Sequence, residues 1–428
     1  MRTFLRRHSR THWALADQCQ VSAGNVLTGV LIARSLGIAE FGRFSLAWMI
    51  VLFVQSIQDN GISAPMMSIA PKQNPSQLPQ YYGGVFLQQG IFGLVSSTLT
   101  WGALRVAGTM IGGGSIVPLA LPLAFVVFFS QGQEFLRRYF FTINRPAVGF
   151  AGDAIRQVSQ VLTLGVLLFV FHSVASIYGV LWIIAATAGL STTVCVLFLP
   201  KLSLSVVSLR RTARVHWQFS RWLVSSAVVQ WMSGDLFVVA AAAQLGVVAV
   251  GALKAAQSLV GIMNILFQGL QNVVPVRAAE CFHEAGPRGL LNYLRKVTIF
   301  GLAVTICIGA VLAVEPALWY RLVYGHGYVA YSNLLRWFTV LNVIIFLAVP
   351  VQYGLRAIEK TRPIFVGYVA AAVFALTLAL PVVRGFGVDG VVVGMAAVQV
   401  IRTGIMGFAL AYAIRSRAAS GLPSTRAA

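Results

Sequence analysis

The residues able to do chemistry in this chain are polar groups set into long apolar runs. In AVGALKAAQSLVGIMNILFQGLQ (249–271), Lys254, Gln257, Gly261, Asn264, Gln268 and Gln271 recur at alternating three- and four-residue steps. That spacing places them on one face of a helix. An ammonium there can attract a phosphate as a point charge, and amides at that spacing can hydrogen-bond hydroxyl groups. An offset of 209 residues lays Ser45, Gln55 and Asp59 over Lys254, Asn264 and Gln268, so an earlier segment carries a matching stripe. Asp17, Gln18, Ser22 and Asn25 add polar groups to a third segment, and Ser226, Gln230, Ser233 and Asp235 to a fourth. The binding candidates are therefore Lys254, Gln257, Asn264, Gln268, Asn25, Gln55 and Gln230. Asp235, Asp59 and Asp17 are the candidates for taking up H+ or Na+. A plainer account stands beside this one. Polar side chains also join helices to each other, at about 0.6 kcal/mol per bond. Asp235 suits Lys254 as a structural partner, and Asp17, Asp59 and Asp153 fall near segment ends, where water can solvate them.

The segments that hold these groups are membrane spans. The chain is 58% hydrophobic and 10% charged, with a mean hydropathy of +0.80, far more apolar than a soluble domain. A bilayer-crossing helix needs about 20 apolar residues. Twelve such runs are read near 14–35, 42–66, 81–106, 116–141, 150–171, 174–199, 216–241, 246–274, 290–314, 331–353, 363–383 and 388–413. The reading is an all-α polytopic membrane protein: a basic tail (1–13), a six-helix half (14–200), a cytoplasmic linker (201–215), a second six-helix half (216–414) and a tail (415–428).

A net charge of +21 invites a nucleic-acid reading, and its distribution removes it. Of the 32 Lys and Arg, 23 fall on the side holding both termini, six on the other, and Arg156, Lys254 and Arg402 lie within spans. Positive loops stay cytoplasmic, so both termini are predicted to be cytoplasmic and the excess charge is topological. Arg137, Arg138, Arg356 and Arg362 are assigned to the same rule, with phosphate capture at the cytoplasmic mouth as a lesser role. Tyr320, Tyr324 and Tyr328 beside Trp319 are expected to form an interfacial aromatic belt. Four isolated cysteines and six scattered histidines give no disulfide framework or metal spacing. Gly385, Gly387 and Gly390 spell G-x-G-x-x-G, but no strand precedes them, so a turn is expected rather than a dinucleotide site. No catalytic constellation is present, and the chain is read as a non-enzyme without cofactor.

Repetition organises the twelve spans. The 209-residue offset pairs Leu36, Gly37, Gly42 and Ala47 with Leu245, Gly246, Gly251 and Ala256. A second echo links LRRYFFTINRP (136–146) with LRAIEKTRP (355–363), again six spans apart. An even number of spans gives two parallel halves, an arrangement suited to rocking about a central cavity lined by spans 1, 2, 7 and 8.

ARSLGIAEFGRFSLA (33–47) resembles the helix 1–2 signature of polysaccharide flippases, Arg-x-Leu-Gly-x-x-x-Phe-Gly-x-(Phe/Tyr)-(Ser/x)-x-Ala. Its charges, Arg34, Glu40 and Arg43, are placed at a periplasmic turn where water solvates them. Leu355 to Pro363 is similar to that family's tenth-to-eleventh-helix corner. The family is the polysaccharide-transport branch of the multidrug/oligosaccharidyl-lipid/polysaccharide (MOP) superfamily. The resemblance implies a flippase of the bacterial inner membrane. It would move undecaprenyl-pyrophosphate-linked oligosaccharide units to the periplasmic leaflet for O-antigen, capsule or exopolysaccharide, working with membrane lipid and a polysaccharide polymerase. It also implies a cavity built from helices 1, 2, 7 and 8. Three rivals are a cation-coupled multidrug exporter of the same fold, a lipid II-type flippase and a membrane polymerase or ligase. Lys254 counts against the first, the lack of two further helices against the second, and the lack of a large loop against the third.

Overall fold

Helix is the only regular structure among the residues that the computed structural model describes, 2–110, 117–171 and 176–420. Apolar chain in lipid has no water to satisfy its backbone, and a helix bonds every interior amide to itself. The α-helices are α1 (Arg2–Gln58), α2 (Ala64–Ile69), α3 (Leu78–Met110), α4 (Ala120–Thr142), α5 (Pro146–Phe169) and α6 (Ile177–Leu197), then α7 (Val206–Leu245), α8 (Val247–Val260), α9 (Met263–Val314), α10 (Pro316–Val323), α11 (Asn333–Ala357) and α12 (Arg362–Ser420). Among the described residues, seven stretches are long and apolar enough to cross a membrane: Ala16–Lys72, Val117–Thr142, Ile177–Leu197, Val206–Leu245, Val274–Val314, Asn333–Ala357 and Arg362–Ser416. Three of these are broken. Unbroken, the 57 residues of α1 would run about 85 Å, against a hydrocarbon core of about 30 Å. Non-helical glycines at 37, 286 and 387 divide α1, α9 and α12. With these divisions, eleven of the twelve predicted segments each fall mainly on one helical stretch of the described residues, and the eighth, 246–274, runs over α8 and the start of α9. The protein is an all-α, multi-pass membrane protein.

The breaks carry the repeat. Gly37 has φ 80° and ψ 177°, and Gly246 has φ 82° and ψ −178°. Two glycines 209 residues apart thus hold one conformation, in a region essentially closed to other residues. The corners after α4 and α11 match as closely. Ile143, Asn144 and Arg145 donate backbone bonds to Tyr139, Phe141 and Phe140; Ile358, Glu359 and Lys360 donate to Gly354, Arg356 and Leu355. Asn144 (φ 63°) and Glu359 (φ 60°) take the left-handed position that ends the helix. The offset is 215, so Leu355 corresponds to Phe140. The sequence echo, between stretches of 11 and 9 residues, marked the two corners without fixing this register.

The chain forms two compact units, Met1–Val228 and Val229–Ala428. In the first, α4 packs on α3, α5 and α6, and α1 packs on α5. Its aromatic core has Tyr82, Phe86, Phe135 and Tyr139 meeting edge to face at 5.0 Å. In the second, α11 packs on α8, α9 and α12, burying Leu290, Leu355 and Met406.

Candidate functional site

In the second unit, Lys254 lies on α8 with its side chain 18% exposed. Its Nζ donates to Gln257 Oε1 at 3.0 Å, one turn along the helix. Asp235 Oδ1, from α7, is 3.9 Å away, at the outer limit of an ion pair. Among the described residues no other carboxylate comes within 4.0 Å of this ammonium. The cation is thus oriented by an amide and only loosely countered, so an incoming anion meets a charge that is not already consumed. Asp235 is itself 31% exposed.

The polar stripe does not follow one regular helix. α8 ends at Val260, where Gly261 N bonds Ser258 O (3.1 Å) and Asn264 N bonds Gly261 O (2.9 Å). These three-residue bonds wind the chain more tightly than α-helix, so Asn264 is turned away from the register that Lys254 and Gln257 share. Asn264 is exposed, and the side chains of Gln268 and Gln271 lie outside the described residues. Gln230 on α7 and Gln55 on α1 make no side-chain hydrogen bond among the described residues.

Lys254 sits where it does because α8 is held from behind. Tyr324 Oη donates to the Ala255 carbonyl at 3.3 Å. Tyr320, Tyr324 and Tyr328 form a run of rings, with centroids 6.0 and 5.2 Å apart, and are 0%, 4% and 2% exposed. The expected aromatic belt is therefore an internal packing wedge. Four-residue spacing puts Tyr320 and Tyr324 on one side of α10, while Tyr328 reaches them only after the chain turns at Gly325 (φ 94°).

The first unit holds a second polar centre, built on two arginines that the sequence reading explained by topology. Arg137 Nη1 donates to Asp17 Oδ2 (3.1 Å) and its Nε to Glu134 Oε2 (3.1 Å), while Asp153 Oδ2 is 3.6 Å from the same Nε. Arg138 bonds Glu134 Oε1 and Asp59 Oδ2, each at 2.8 Å. Gln133 joins Asp153 to Arg156, whose Nη1 donates to Gln133 Oε1 at 2.8 Å. Arg156 Nη2 also donates to Ser130. Asp17 and Asp59, read as candidate ion carriers with water as the alternative, are thus each engaged by a guanidinium. Asp17 is only 2% exposed. The signal was Glu134, one turn before both arginines. Asn25 accepts a long bond from Gln157 (3.4 Å), and Thr28 accepts one from Gln160 (2.9 Å), so α1 and α5 are stitched along their length.

Glu40 is not merely solvated either. Besides its ion pair with Arg43, its Oε2 accepts the backbone N–H of Ile177 at 2.9 Å. Ile177 opens α6, so a carboxylate sits on free amides at the positive end of a helix dipole. A cleft of about 480 Å³ lined by Trp101, Arg105, Val117, Pro118, Leu121 and Tyr178 opens at the end of α4 opposite Arg137 and holds none of the predicted site residues.

Residues 222–380 match the sequence profile of the MatE family, a region containing both Asp235 and Lys254. A search of curated proteins finds no match. Among solved structures, the fold is similar to that of an inward-facing multidrug resistance MATE family transporter of the MOP superfamily. That likeness has a TM-score of 0.73 and 10% identity over 94% of this chain and 96% of that one. It is equally similar to the lipid II flippase MurJ in an inward closed conformation, with a TM-score of 0.74 and 13% identity over 94% and 87%. The eukaryotic MATE transporter AtDTX14 follows, with a TM-score of 0.64 and 16% identity over 97% and 99%. At these identities the likeness establishes the fold alone.

Proposed function

We propose that this protein is a flippase for polyprenyl-pyrophosphate-linked oligosaccharides, working by alternating access in a bacterial plasma membrane with both termini cytoplasmic. The carrying observation is Lys254: an ammonium on the apolar helix α8, oriented by Gln257 and left 3.9 Å from its nearest carboxylate. A charge kept at that depth is costly without a role, and a pyrophosphate headgroup is the ligand chemistry it suits. Gln257, Asn264, Gln268, Asn25, Gln55 and Gln230 are assigned to sugar hydroxyls. Asp235 is the first choice for H+ or Na+ uptake, because pyrophosphate drawing on Lys254 leaves that carboxylate uncompensated. Asp59 and Asp17 come second, since each already faces an arginine. The same fold serves multidrug transporters and a lipid II flippase. A cationic drug would be repelled by Lys254, which favours an anionic headgroup.

The test is Lys254→Ala and Lys254→Arg in cells whose surface polysaccharide depends on the gene, with protein level monitored. Loss with Ala and partial retention with Arg is the expected outcome. Normal polysaccharide with Lys254→Ala refutes the assignment, and altered resistance to cationic drugs with unchanged polysaccharide supports the exporter instead.

A further inference from the structure

α7 is longer than a bilayer requires. Its 40 residues extend about 60 Å, and about 20 residues suffice to cross the hydrocarbon. The surplus is the segment 206–223, VVSLRRTARVHWQFSRWL, and its faces are inverted relative to a surface helix of a soluble protein. The polar residues Thr212, His216 and Ser220 are 4%, 0% and 2% exposed. They face inward against the start of α3, where Tyr81 Oη and His216 Nε2 meet at 2.9 Å. The approach is close enough that a Cβ on Gly84 would come within 2.7 Å of the Ser208 carbonyl oxygen. The segment is therefore fixed, and what it turns outward is apolar and basic. Val207, Trp217 and Trp222 are 77%, 64% and 68% exposed, and Arg210, Arg211, Arg214 and Arg221 are exposed among them. No Asp or Glu occurs between Asp153 and Asp235, so the sequence around these arginines brings no counter-charge. None of the four pairs with a carboxylate among the described residues.

Water satisfies the guanidinium groups but not the indoles and valines. Acyl chains satisfy the latter but not the charges. A bilayer interface with anionic headgroups supplies both at once, the indoles at headgroup level and the arginine stems along the lipid. We infer that the outward face of α7 over 206–223 is a docking surface for the phosphate headgroups of anionic phospholipids in the cytoplasmic leaflet. The placement on that leaflet rests on the topology proposed above; the docking itself is independent of the cargo.

The test uses the full-length protein in mild detergent, equilibrated with mixed micelles of phosphatidylglycerol and phosphatidylcholine in equal amounts, with retained lipid read by native mass spectrometry. Wild type is expected to retain phosphatidylglycerol preferentially. The triple variant Arg210→Gln/Arg211→Gln/Arg214→Gln is expected to lose that preference by about tenfold or more. Replacing the same three arginines by Lys is expected to keep it, which separates charge from misfolding. An equal loss in the control Arg277→Gln/Arg288→Gln/Arg295→Gln, or none in the first triple variant, overturns the inference. Lys254→Ala is expected to leave lipid retention unchanged, so failure of the flippase reading and failure of this one give different results.

Discussion

Replacing Arg137 by Gln tests whether the arginine–carboxylate centre of the first unit is a structural hub. The side chain is 18% exposed, and its partners Asp17, Glu134 and Asp153 are 3%, 10% and 4% exposed. Glu134 keeps Arg138 at 2.8 Å after the substitution, but Asp17 and Asp153 are left with no cation within 4.0 Å among the described residues. Breaking a buried ion pair from one side costs about 3–5 kcal/mol, because the remaining charge has lost both water and partner. That is a large share of the roughly 5–15 kcal/mol that holds a typical protein folded. Equilibrium unfolding in dodecyl maltoside micelles with a rising fraction of dodecyl sulfate, followed by tryptophan fluorescence, measures the change. The companion variant Arg137→Gln/Asp17→Asn/Asp153→Asn is decisive. With the orphaned charges neutralised it is expected to recover most of the loss, a strongly non-additive result for side chains in contact. A cost below about 1 kcal/mol for Arg137→Gln, or a triple variant no better than the single one, would refute the hub.

Gly37→Ala and Gly246→Ala are each expected to cost about 1–3 kcal/mol through backbone strain alone, since nothing lies within 4 Å of an added Cβ at either site; Gly29→Ala, equally open but helical, should be neutral or stabilising in the same unfolding assay. Glu40→Ala is expected to cost about 1 kcal/mol through loss of the α6 cap, with Glu40→Gln recovering part of it, and hydrogen exchange at the first turn of α6 should rise in the Ala variant only.

The spans were legible because lipid imposes a length and a composition that few other constraints override. The 209-residue repeat was legible because Gly37 and Gly246 are conformational necessities, which drift cannot easily erase. The matching corners were found without their register. A left-handed residue ends each helix, and Asn144 and Glu359 share that role without sharing an identity. Charges were the hardest residues to place. Arg137 and Arg138 satisfy the topology rule by position alone, and only the three-dimensional approach of Asp17 and Asp59 from α1 and the π-turn at 59–63 shows a second role. The start of α7 was cut ten residues short because arginines depress hydropathy while remaining good helix formers.

The bond between Glu40 and Ile177 joins residues 137 positions apart in the chain. At about 5–20 residues per second of synthesis, Glu40 emerges roughly 7 to 27 s before the helix it caps. Until then Glu40 has only its local partner, Arg43. Arrival of α6 supplies its amide and closes the early half around a contact that no shorter nascent chain can make. The turn after the first span is thus completed only when the last helix of the N-terminal half has been made.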